Sequence, residues 1–124
     1  MRPLIYSEKK AAAKNIGWER EFQYGDDTCY LAHCYPYTFT DLRDDLDNML
    51  ADPERSKVMK RQVLCETRAG NSCFLVTVTN FDSDHTNKKA VIVTARVHPG
   101  ETNSSWMMKG LLDYVTGSTI TAKV

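Results

Sequence analysis

Ala90-Val91-Ile92-Val93-Thr94-Ala95-Arg96-Val97-His98-Pro99-Gly100-Glu101 is the stretch that decides the fold. Ala90 to Val97 is a continuous apolar, β-branched run with no polar alternation. Such a run predicts a central strand buried on both faces. Pro99 fixes its own φ and Gly100 permits unusual backbone angles, so the chain turns sharply after it. Thr102-Asn103-Ser104-Ser105-Trp106-Met107-Met108-Lys109-Gly110 then reads as a helix start. The spacing predicts a helix over about 103–115. Trp106, Met107, Gly110, Leu111, Tyr114 and Val115 form its apolar stripe, and Gly117 stops it. A buried strand leading through a tight turn into a helix is a unit of an α/β sheet.

The turn itself carries chemistry. Sites in open α/β sheets form outside the carboxyl ends of strands, and His98 stands at such an end. Imidazole and carboxylate are both zinc ligands. His98 and Glu101, three residues apart across Pro99-Gly100, can therefore converge on one ion. Two ligands are fewer than the three protein ligands of a catalytic zinc. The alternative is a solvated turn in which Glu101 caps the following helix, where negative charge is favoured.

Upstream, Gln62 to Thr67 and Cys73 to Thr79 read as two strands joined through Arg68-Ala69-Gly70-Asn71-Ser72 as a hairpin. Phe81 to Lys89 is a polar connection. Thr40 to Ala51 reads as a helix with Thr40 as N-cap. Leu42, Leu46, Met49 and Leu50 share one face of it. Asp41, Asp44, Asp45 and Asp47 lie toward its favourable N-terminal half. They lack the glycine and terminal glutamate of a calcium loop, so they read as a solvated face. Asp52-Pro53 closes the helix, and Arg55 to Lys60 allows a second short helical piece.

Residues 1–40 differ in character. Pro3, Gly17, Gly25 and Pro36 are interleaved with Trp18, Phe22, Tyr24, Tyr30, Tyr35, Tyr37 and Phe39. Short strands and turns fit best, with Cys29 to Tyr35 the clearest strand. The expected organisation is α/β, with a β-rich unit over 1–40 and the first part of a helix-covered sheet over 41–124. At most three strands and two helices are legible, too few to cover a buried strand. The chain therefore reads as an incomplete version of a larger fold.

Composition narrows the classes of function. The chain has 124 residues, 42% apolar and 26% charged, which is globular rather than disordered. Its formal net charge is zero, so nothing calls for nucleic acid or an anionic membrane as partner. The N-terminus has no signal-peptide core, and no run approaches the roughly 20 apolar residues of a membrane span. A cytoplasmic protein is expected. Cys29, Cys34, Cys65 and Cys73 are then free thiols. Their spacing matches no strong zinc or redox motif, and they read as small buried hydrophobes.

The segment from Ala95 to Gly110 closely resembles the zinc-site segment of the cytosolic carboxypeptidases, members of the zinc metallocarboxypeptidase superfamily. Three further segments agree with that family. They are Met1-Arg2-Pro3-Leu4-Ile5-Tyr6-Ser7, Cys34-Tyr35-Pro36-Tyr37-Thr38-Phe39-Thr40, and Val63-Leu64-Cys65-Glu66-Thr67 with Gly70-Asn71-Ser72. The resemblance implies a β-sandwich-like N-terminal domain followed by a zinc carboxypeptidase domain. It implies Zn2+ as cofactor, with His98 and Glu101 as two of its ligands. It also implies removal of C-terminal or side-chain glutamates, with polyglutamylated tubulin or other acidic protein tails as partners. In the family, a second histidine ligand and a general-base glutamate lie downstream. No histidine follows His98 here. The chain as it stands is therefore expected to be inactive, and a non-catalytic fragment or binding module with at most weak zinc is the competing reading. The stretch from Gly17 to Tyr24 also reads as shorter than the family's N-terminal domain.

Other residues have structural readings. His33 lies in the N-terminal strand and His85 in the polar loop, and neither sits where the family places its second histidine ligand. Arg96, two residues before His98, should point to the same side of the strand, to face the substrate or to pair with a carboxylate, and the structural role is favoured. Tyr35-Pro36-Tyr37 packs between the two domains. Lys57, Lys60 and Arg61 form a solvated patch. Trp106, Met107 and Met108 are core.

Overall fold

A computed structural model describes Thr28, Tyr30, Ala32 and residues 34–118. The chain divides into two compact units, Met1–Tyr35 and Pro36–Val124. The expected strand over 29–35 and His33 fall largely or wholly outside the described residues. The second unit is mixed α/β. Its elements run α1 (Phe39–Ala51), α2 (Arg55–Val58), β1 (Met59–Glu66), β2 (Ser72–Val78) and α3 (Thr102–Thr116).

Helix α1 begins one residue earlier than expected, and its N-cap is Thr38 rather than Thr40. Thr38 and Asp41 form a capping box. The Asp41 amide donates to Thr38 Oγ1 at 3.1 Å, and the Thr38 amide donates to Asp41 Oδ2 at 2.7 Å. Two orphan donors of the first turn are thereby satisfied. The bonds that the Thr38 amide and, at 2.8 Å, the Thr38 hydroxyl donate to Asp41 Oδ2 hold its carboxyl below the usual carboxylate range. The sign follows: the box is intact above the ordinary aspartate value and is lost as pH falls through the lowered one. Thr38→Ala is expected to remove about 1 kcal/mol of stability, measured by urea denaturation.

The predicted apolar face of α1 is the core. Leu46 and Met49 are buried and meet Met59 at the start of β1. Leu42, Leu50, Phe74, Val76, Val78 and Leu112 pack against them. The two strands form an antiparallel hairpin with Met59 opposite Val78 and Val63 opposite Phe74. Gly70, at φ 77°, supplies the left-handed residue of its turn. Phe74, Val76 and Val78 face inward in strict alternation with exposed Cys73, Leu75 and Thr77. Arg61 closes the side of this core through an ion pair to Asp47 at 2.7 Å and a position over the Phe74 ring.

The expected buried strand over 90–97 is not formed. Among the described residues the sheet has two strands only, and the run carries no strand assignment. Val91 and Ile92 are 86% and 87% exposed. The physical reason is that a strand exists only through its neighbours' hydrogen bonds, and no described strand pairs with this run. The same lack of cover exposes part of α3. Met107 is 74% exposed and Trp106, Leu111 and Tyr114 are also exposed, so the expected core role of Trp106 and Met107 does not hold. Cys65 and Cys73 are exposed thiols and Cys34 is half-buried, which corrects the reading of these three as buried hydrophobes.

Helix α3 itself matches the expected span and ends at Gly117 as its C-cap. Gly117 is held at φ −74°, not in the left-handed region, and its amide donates to the Tyr114 carbonyl. A Cβ there would lie 2.8 Å from the Asp113 carbonyl oxygen, so glycine is required by space.

Candidate metal centre

His98 and Glu101 both lie exposed on the turn that enters α3. The Glu101 amide donates to the His98 carbonyl at 3.1 Å, and the Thr102 amide donates to the Gly100 carbonyl at the same distance. These bonds close a tight turn through Pro99-Gly100. Glu101 occupies the N-cap position of α3 but its side chain makes no capping hydrogen bond. The turn is solvent-exposed, as the alternative reading had it, but the carboxylate makes no bond to the helix amides. An imidazole and a free carboxylate on one turn are a chemically apt donor pair for zinc. Among the described residues, no cluster of three or more His, Cys, Asp or Glu side chains is placed to hold a metal. His85 is exposed in its polar loop, as expected.

Arg96 holds this turn in place, and the sequence did not reveal how. Its backbone sits at φ 55°, the one positive value among the described non-glycine residues. Its amide donates to Ser104 Oγ at 2.5 Å. Its guanidinium donates to the Pro99 carbonyl at 2.7 Å, to Ser105 Oγ at 3.1 Å and to the Tyr37 carbonyl at 3.3 Å. One side chain therefore fastens the turn, the first turn of α3 and the segment entering α1. The structural role expected for Arg96 is what the geometry displays.

Tyr37 is the second anchor. It is 8% exposed, and its ring meets Trp106 edge-on with centroids 4.9 Å apart. Its hydroxyl donates to Asp45 Oδ2 at 2.8 Å. Burial, then the hydrogen bond to Asp45 and the nearby carboxylates, raise the hydroxyl well above its ordinary value, so it remains a donor. These partners lie within the Pro36–Val124 unit, where the expected role was packing between two domains. Asp45 also pairs with Lys109 at 2.9 Å, and Asp113 pairs with Arg55 at 2.8 Å. Asp45 is therefore a bridge from α1 to α3 rather than part of a solvated face. The Asp45 bond, the larger effect, and the nearby Asp113 charge raise the Lys109 ammonium, against its partial burial. The recess of about 280 Å³ beside this network is lined by Asp45, Asn48, Met49, Asp52, Arg55, Lys109 and Asp113, and so excludes the His98–Glu101 turn.

The whole chain aligns with cytosolic carboxypeptidase 3 of Bos taurus at 47% identity over 152 positions, covering 15% of that protein. Cytosolic carboxypeptidase 2 of Xenopus tropicalis is 44% identical over 93% of the chain and 15% of its own length. Cytosolic carboxypeptidase 2 of Homo sapiens is 39% identical over the whole chain and 17% of its length. Over its whole length the chain is similar to one part of the cytosolic carboxypeptidases. It spans about 15% of the length of these carboxypeptidases. The alignment with the bovine carboxypeptidase takes 152 positions for 124 residues, so at least 28 positions of that relative have no counterpart here. No family model matches the chain. No solved structure matches it. No helix among the described residues is long and apolar enough to cross a membrane.

Proposed function

We propose that this segment supplies two of the three protein zinc ligands, His98 and Glu101, of a cytosolic zinc metallocarboxypeptidase. Its substrate class is the C-terminal or side-chain glutamates of tubulin and other acidic protein tails. The observation that carries the reading is the uncapped Glu101 carboxylate on one tight turn with His98, in a chain 47% identical to a carboxypeptidase. The finer architecture proposed is the first part of a carboxypeptidase domain, preceded by a β-rich unit.

Bound zinc would polarise the scissile carbonyl and lower the pKa of a water molecule. The residues of this chain hold and orient. His98 presents an imidazole nitrogen, Glu101 presents carboxylate oxygens, and Arg96 fixes the turn that carries both. On this reading the chain contributes a half-site for zinc and does not turn over peptide by itself.

Equilibrium dialysis with metal analysis tests this. Zinc is expected to bind weakly and to exchange readily, because two protein ligands leave the remaining positions to water. His98→Ala and Glu101→Ala should each abolish that binding without unfolding the unit. Zinc retention unchanged in both variants would overturn the ligand assignment. Incubation with a peptide ending in glutamates should release none. Zinc-dependent release by the chain alone would overturn the half-site reading.

A further inference from the structure

The solvent face of the β1–β2 hairpin carries a feature separate from the metal site. In β1, Met59, Arg61 and Val63 pair with Val78, Val76 and Phe74. Those three β2 residues form the inward-facing, half-buried set of the strand. A regular ladder would continue with Leu64 opposite Cys73 and would leave Cys65 on the inner side. The register instead shifts between Val63 and Cys65. One extra residue on one strand turns the following side chain to the other face. Cys65 is thereby set directly opposite Cys73, and both are exposed. Opposed residues of an antiparallel pair have Cα atoms roughly 4.5–5.5 Å apart, within the range of roughly 4.4–6.8 Å that a disulfide spans.

We infer that Cys65 and Cys73 form a dithiol modification site that undergoes exchange with low-molecular-weight disulfides, of which glutathione disulfide is the probe. One cysteine thiolate attacks a sulfur of the small disulfide. A mixed disulfide forms, the original S–S bond breaks, and one glutathione leaves as thiolate and takes up a proton. The facing cysteine thiolate then attacks the protein sulfur of the mixed disulfide. The Cys65–Cys73 bond forms and the second glutathione departs. Two protein thiols are oxidised to one disulfide while one glutathione disulfide is reduced to two thiols, and the two cysteine protons end on the products. The facing pair matters at the second step, because the resolving thiol is already in place.

Local desolvation first, then the charge and hydrogen bond of Cys73, raise the Cys65 thiol above its ordinary value, so exchange at Cys65 quickens as pH rises and the thiolate forms. In a reducing compartment such a site rests as the dithiol and forms its bridge transiently.

Tryptic mapping of the full chain after exposure to glutathione disulfide tests the inference. The cysteines fall in separate tryptic peptides, 62–68 and 69–88. The expected product is these two peptides joined, without retained glutathione, in a yield independent of protein concentration. Cys73→Ser should lose the link and leave a persistent glutathione adduct on Cys65. In urea the link should lose its preference, since the unfolded chain closes the shorter Cys29–Cys34 loop more readily. Stable adducts on both Cys65 and Cys73 in the wild-type chain would overturn the inference. So would a link whose yield rises with protein concentration, or one equally abundant in urea.

Discussion

Leu46→Ala is expected to lower the stability of the Pro36–Val124 unit by about 2–5 kcal/mol, the usual range for deleting a buried leucine. Leu46 is 1% exposed and, among the described residues, joins a buried cluster with Met49 and Met59. Leu42, Leu50, Phe74, Val76, Val78 and Leu112 pack around that cluster, so the truncation removes contacts on several sides. Domains of ordinary stability hold about 5–15 kcal/mol in all, so the loss is a large share. The measurement is urea denaturation followed by far-ultraviolet circular dichroism. A lowered midpoint with an unchanged slope is the expected signature. Met107→Ala is the matched control, because Met107 is 74% exposed. It should shift stability by no more than about 0.5 kcal/mol. Equal effects from the two substitutions would show that α1 is not seated on the hairpin as described.

The elements that proved legible in the sequence are those whose signal is local. The 3.6-residue spacing of Leu42, Leu46, Met49 and Leu50 marks the buried face of α1, and the hairpin follows from two strand-like runs flanking Gly70. The N-cap was displaced because two threonines, Thr38 and Thr40, precede the same apolar stripe. Asp41 decides between them by lying three residues after Thr38, the capping-box distance. Non-local features were not legible. Ala90–Val97 has the composition of a buried strand, but composition expresses only a capacity for burial. The neighbours that would realise it are not found among the described residues. The Cys65–Cys73 pairing depends on a register shift that strict alternation cannot foretell. In the candidate site, His98 and Glu101 were visible as residue types at a suggestive spacing. The uncapped state of Glu101 and the grip of Arg96 were visible only in the fold.

Arg96→Ala is expected to weaken zinc binding by about tenfold, within the range seen when groups supporting metal ligands are removed, although Arg96 is not a ligand. The substitution deletes the hydrogen bonds to the Tyr37 carbonyl, the Pro99 carbonyl and Ser105 Oγ. It leaves the His98 and Glu101 side chains untouched. A charged donor of this kind contributes about 1.5–3 kcal/mol where it is partly sheltered, so a stability loss near the lower end accompanies the loss of zinc. Arg96→Gly separates the side chain from the backbone. Glycine adopts φ 55° freely, whereas alanine retains a left-handed penalty of about 1–2 kcal/mol. Arg96→Gly should therefore be the more stable of the two and yet bind zinc as poorly. His98→Ala should show the opposite pattern, with zinc lost and stability kept, because His98 is exposed. Isothermal titration with zinc alongside urea denaturation of all three variants distinguishes ligand from positioning residue. Full zinc affinity in Arg96→Ala would mean that the turn holds its shape through its own backbone bonds, from the Glu101 amide to the His98 carbonyl and from the Thr102 amide to the Gly100 carbonyl.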